Sequence, residues 1–128
     1  MQTSLPGRQA LILFSHGARD ARWAEPLLRI QQLVTQRVDS SVQVRLAFLE
    51  LMSPSLPELI EQLAASPIDT VRIVPIFLGQ GGHVRNDLPA LVRQLELTYP
   101  LVKFSLTSAI GENELVLTAI ADVCIGSL

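Results

Sequence analysis

At 128 residues, with 48% apolar side chains and a positive mean hydropathy, the chain suits one domain with a sizeable core and excludes a disordered protein. A formal net charge of −2 gives no electrostatic reason to expect nucleic acid or an anionic membrane as partner. The lone cysteine, Cys124, excludes an intramolecular disulfide and no apolar run approaches the ~18 residues of a membrane span, so a cytoplasmic protein is expected.

Residues 1–9 are largely polar, carry Pro6 and Gly7, and read as a loose leader to a single domain over 1–128. Ala10–Ser15 is a short apolar run and reads as a central strand ending in His16 and Gly17. Trp23, Leu27, Ile30, Val34 and Val38 recur at three- and four-residue spacing, the stripe of a helix with Trp23 in the core. Val42–Leu51 alternates apolar and polar residues as a second strand closing on Glu50. Ser55 and Glu58 match a capping box for a helix carrying Leu59, Ile60 and Leu63. Val71–Leu78 reads as a third strand, buried on both faces. A glycine loop and His83 follow it, and a helix restarts at Asn86 or Asp87 with Leu88, Leu91, Val92 and Leu95 inward. Val102, Phe104 and Leu106 give a fourth strand, and a last helix runs to about Cys124 with Leu117, Ile120 and Val123 inward. Four β-α units predict an α/β domain with a parallel sheet, helices on both faces and right-handed crossovers.

In a parallel sheet every strand ends its carboxyl terminus on one side. His16 follows the first strand, Glu50 ends the second and His83 lies beyond the third. In the doubly wound order 2-1-3-4 these strands are neighbours about 4.8 Å apart, so the three side chains can converge at the switch crevice. Two imidazoles and a carboxylate suit a divalent first-row metal such as iron or cobalt. Singly, each has a plainer reading, as a turn residue, a polar strand end and a solvated loop histidine. Jointly they are harder to set aside, since the chain has only two histidines and both fall on this edge. Gly79-Gln80-Gly81-Gly82 sits where a dinucleotide fingerprint would, but Val84 replaces its last glycine and no phosphate loop is present. Those glycines allow a flat ligand to lie on the main chain, or simply make a turn. Arg19, Arg22 and Arg85 flank the histidines and together suit a ligand bearing carboxylates. Asp20 and Asp87 read as helix caps.

FSHGARD (14–20), AFLELMSPSLPELI (47–60) and VPIFLGQGGHVRNDLPAL (74–91) resemble the short CbiX-type sirohydrochlorin cobaltochelatases, related to the sirohydrochlorin ferrochelatases and the class II chelatases. The likeness runs from about Leu11 to Gly111. It implies a flavodoxin-like chelatase fold that inserts Co²⁺, or Fe²⁺, into sirohydrochlorin for cobalamin or sirohaem biosynthesis. It implies His16 as metal ligand and proton acceptor, His83 as a second ligand, and Glu50 on the metal or substrate side. Leu78–Gly82 would line the macrocycle. The resemblance calls for no nucleotide or redox cofactor, and it implies a homodimer whose second copy completes the cleft of longer chelatases. Ala18 departs from the HGSRD wording common in the family, and GENELV lacks a histidine that relatives often carry after Gly-Glu. No histidine-rich tract of the nickel-handling kind is present.

Two other readings compete. A non-catalytic metal or tetrapyrrole carrier would use the same side chains without accelerating insertion. A phosphohistidine phosphatase ranks lower, because such enzymes need arginine before the histidine and this chain has Ser15.

Overall fold

In the computed structural model, which describes residues 7–128, β1 (Gln9–Ser15), β2 (Val42–Phe48), β3 (Thr70–Pro75) and β4 (Lys103–Leu106) alternate with four helices. These are α1 (Glu25–Thr35), α2 (Leu56–Ala64), α3 (Gly82–Thr98) and α4 (Glu114–Gly126). The strands form one parallel sheet in the order β2-β1-β3-β4, as the sequence predicts. Most of the expected leader, residues 1–6, lies outside the described residues. Arg8 is tied by its backbone N–H to Asp69 Oδ2 at 2.9 Å, and Gln9 already belongs to β1.

Register assigns the two faces. On one, Ala10, Ile12 and Phe14 of β1 align with Val71, Ile73 and Pro75 of β3. They pack with Leu59, Ile60 and Leu63 of α2 and Leu88, Val92 and Leu95 of α3 in the main core. A fully buried aliphatic side chain stabilises by roughly 1.5–3 kcal/mol, so this layer dominates the fold's stability. On the other face, Ala24 and Leu27 pack with Leu46 and Phe48 of β2. β1 lies between β2 and β3, which explains its unbroken apolar run.

Five expectations are corrected. Trp23 is 39% exposed: Asp20 caps a separate 3-10 turn (Ala21–Ala24), so Trp23 precedes α1 and falls outside its stripe. β2 stops at Phe48, because Leu49 and Glu50 bend to bond β1's end and Leu51 takes a left-handed φ of 65°. β3 stops at Pro75, whose ring nitrogen has no proton to donate to the ladder. α3 starts at Gly82 with Gly81 as cap, and the bond from Arg85 N–H to Gly81 O (3.0 Å) closes its first turn. Asp87 therefore lies inside the helix. The last correction is α4: Leu117, Ile120 and Val123 are 40%, 40% and 75% exposed, and no residue of the helix is buried.

Candidate functional site

The carboxyl ends of β1 and β2 stay joined after the strands finish. Leu49 N–H donates to Ser15 O at 2.8 Å, and Glu50 N–H donates to His16 O at 2.9 Å. The peptide groups of His16 and Glu50 are thus bonded neighbours, 34 residues apart in sequence, and both residues are exposed. Gly17 makes that approach possible: its φ is +95°, and a Cβ there would collide with the carbonyl oxygen of Glu50. Just beyond Glu50, Leu51 holds a backbone conformation that costs a leucine about 1–2 kcal/mol, local strain beside a candidate site residue.

The His16 ring rests on Phe77, with centroids 4.3 Å apart and planes tilted by 38°. Phe77 is buried and meets Phe14 edge-on at 5.9 Å. The imidazole is therefore seated on an aromatic pair rooted in the core, while it stays open to solvent. Phe77 belongs to the loop between β3 and α3, and that loop is fixed from below. Gly111 N–H donates to Phe77 O at 2.9 Å, and a Cβ at Gly111 would run into the backbone of Leu78. Leu78, Gly79, Gly81 and Gly82 are exposed along the rim and Gln80 is half-buried. No neighbouring atom requires glycine at 79, 81 or 82. Leu49 and Leu51 add exposed apolar side chains on the β2 side.

His83 falls in the first turn of α3, following this loop, so its backbone stands at the same edge of the sheet. Its side chain lies outside what the structure describes. Among the described residues no group of three or more His, Cys, Asp or Glu side chains is placed to hold a metal ion. The arginines separate into two kinds. Arg22 is bound to Asp20 at 2.8 Å, which keeps that guanidinium charged and holds the carboxyl below its ordinary range. Arg19 and Arg85 are exposed, and among the described residues neither is in an ion pair. Arg85 borders a shallow cavity of about 280 Å³ with Gln80, Thr107, Ser108 and Glu112. A larger groove, about 560 Å³, lies at the opposite, amino end of the sheet.

The sequence reading missed Phe77, Gly17 and Gly111. Phe77 was hidden in an apolar run that reads as strand, and Gly111 only as a residue before a helix. Gly17, directly after a candidate histidine at a strand end, carried a signal for a close backbone approach.

Comparison with known proteins adds four matches. The CbiX family model matches residues 10–125. A sirohydrochlorin cobaltochelatase of Methanothermobacter thermautotrophicus is 32% identical over 82 residues, 64% of this chain and 56% of that one. Among solved structures, one described as a cobalamin (vitamin B12) biosynthesis CbiX protein from Marinobacter aquaeolei VT8 superposes with a TM-score of 0.80 at 30% identity. That match covers 93% of this chain and 96% of the other. The sirohydrochlorin chelatase SirB of Bacillus subtilis subspecies spizizenii, solved in complex with cobalt, shares the fold at 23% identity with a TM-score of 0.75. This chain covers 49% of SirB, against 90% of its own length. It spans little more than half the length of the first curated relatives it matches.

Proposed function

The chain belongs to the CbiX family, and from that premise we propose that it inserts a divalent metal, Co²⁺ or Fe²⁺, into sirohydrochlorin on a route to cobalamin or sirohaem. The observation that carries this reading is the backbone hydrogen bond from Glu50 N–H to His16 O, which seats an exposed histidine and an exposed glutamate at the same rim. Curated relatives named as sirohydrochlorin cobaltochelatases support it.

Insertion exchanges two pyrrole N–H protons for one M²⁺, with metal–nitrogen bonds formed as the N–H bonds break. His16, in its neutral form, takes one proton on a ring nitrogen, and the other leaves to water. The stacking on Phe77 limits the orientations the imidazole must lose on the way to that transfer. Glu50 attracts the incoming cation, and His83 is assigned as a second ligand from its place in the first turn of α3. Leu78 through Gly82 gives the flat macrocycle an apolar ledge, with Leu49 and Leu51 across from it. Arg19 and Arg85 suit the carboxylates at the ring's edge. The metal is a substrate, and the proposed reaction uses no nucleotide or redox cofactor.

The working form is a homodimer in the cytoplasm, its second copy closing the tetrapyrrole cleft from the other side. Supporting this, the chain matches half of SirB's length and leaves the rim open. Among the described residues no helix is long and apolar enough to cross a membrane.

The test is an anaerobic absorbance assay with sirohydrochlorin and each metal, with and without protein. A metal-dependent spectral change faster than the spontaneous one is expected with at least one of them. Tight binding of both substrates at an unchanged rate would instead identify a carrier.

A further inference from the structure

The cavity between the start of α3 and the end of β4 has two kinds of lining. Its floor is apolar: Pro75 and Leu88 are buried, and Pro89 and Leu106 are half-buried. Its mouth is polar: Arg85, Ser108 and Glu112 are exposed and Gln80 is half-buried. At about 280 Å³ it falls below the roughly 300–1,000 Å³ of pockets that enclose a whole organic ligand, so it takes a substituent and not a ring. An apolar floor under a charged mouth fits a carboxylate carried on a short methylene stem.

Three donors at that mouth are free. Among the described residues no hydrogen bond or ion pair holds the side chain of Arg85, Gln80 or Ser108. Thr107 differs: its hydroxyl donates to Ser108 O at 3.1 Å or Ile73 O at 3.4 Å, so its proton stays within the fold. Both walls are tied down. The bond from Arg85 N–H to Gly81 O closes the first turn of α3, and Leu88 anchors the second in the core. On the other side, the bond from Gly111 N–H to Phe77 O holds Glu112 and Gln80 beside one cavity. The same bond joins the cavity to the rim, since Phe77 carries the His16 ring. In the strand order His16 follows β1 and the cavity lies past β3 and β4, with the ledge of residues 78–82 leaving β3 between them.

We propose that this cavity seats one peripheral carboxylate of the tetrapyrrole and so fixes which edge of the ring faces His16. This rests on the tetrapyrrole reading above and adds Ser108 and Glu112 to its binding residues. Arg85 supplies a two-pronged charged donor, with Gln80 and Ser108 as neutral donors beside it. Glu112 sets the limit. Its carboxylate repels a second negative charge, so the cavity admits a single carboxylate and opposes a dianion such as phosphate. Arg85 and Glu112 therefore act on affinity with opposite sign.

The test is an absorbance titration with metal-free sirohydrochlorin, which reads binding without metal insertion. Arg85→Gln should raise Kd roughly tenfold or more, and Arg85→Lys by less, because an ammonium keeps the charge without the fork. Ser108→Ala should raise it about two- to fivefold. Glu112→Gln should lower Kd about two- to threefold, a gain that a folding defect cannot imitate. With fully esterified sirohydrochlorin, which carries no carboxylate, the Arg85 and Glu112 variants should match the unmodified protein. An Arg85→Gln protein that binds the free acid as tightly as the unmodified one, or a Glu112→Gln protein that binds it no tighter, overturns the inference and leaves the chelatase reading to its own assay. An unmodified protein that binds no metal-free sirohydrochlorin overturns both. The expected shifts without faster metal insertion uphold the inference and overturn the chelatase reading alone.

Discussion

His16 owes its place to Phe77 beneath its ring, to the Glu50 amide on its carbonyl and to the missing side chain at Gly17. None of the three is near the others in sequence, so only the histidine and the glutamate could be picked out as candidates, from residue type and strand-end position. Replacing the imidazole removes the proposed proton acceptor while leaving these backbone contacts in place. His16→Ala is therefore expected to lose metal insertion by about 100-fold or more, with an unchanged far-UV spectrum and urea midpoint. A variant that still inserts metal at the original rate would sink the assignment of His16. The arginines show the limit of reading charge from sequence. Arg22 looks equivalent to Arg19 and Arg85 on paper, yet it closes on its own helix cap.

Among the elements, α2 was the most legible because its signals are local. Ser55 Oγ accepts from Glu58 N–H at 3.3 Å, and Glu58 Oε1 accepts from Ser55 N–H at 2.8 Å, the reciprocal pair that the spacing announces. Ser55→Ala should cost about 1 kcal/mol, read as a lower urea midpoint. The Ser55 backbone N–H, and then its hydroxyl, hold the Glu58 carboxyl below its ordinary pKa. A carboxyl depressed in the folded state contributes stability above its unfolded value and loses it as pH falls through the folded value. Glu58→Gln keeps an acceptor but has no such titration, so its urea midpoint should fall less than that of the unmodified protein across that acidic window. α3 was misjudged at its start because Gly81 caps it without a side chain, while Asn86 and Asp87 offered the more familiar signal. α4 was read correctly as a helix that follows Gly111, but the destination of its apolar residues is not a local property.

At the scale of the molecule, the main core lies between the sheet and α2 with α3. Ile73 is fully buried between the faces of β1 and β4, aligned with Ile12 and Leu106. Ile73→Ala should cost about 2–5 kcal/mol in urea unfolding. Against a total stability of roughly 5–15 kcal/mol, that is enough to reduce the folded population visibly on mild heating. Changes in α4, which holds no core position, should leave the urea midpoint of the isolated domain nearly untouched.

By itself the sequence determined the alternation of strands and helices, the parallel sheet with its order, and the edge on which His16, Glu50 and His83 stand. These follow from periodicities of two and 3.6 residues and from the rule that parallel strands end together, all carried by neighbours along the chain. Only the tertiary structure decided that Phe77 supports His16, that Gly17 and Gly111 are needed for close backbone contacts, and that α4 leaves half a sheet face uncovered. Contacts of that kind depend on where separate elements meet in space, and no local pattern of residues records it.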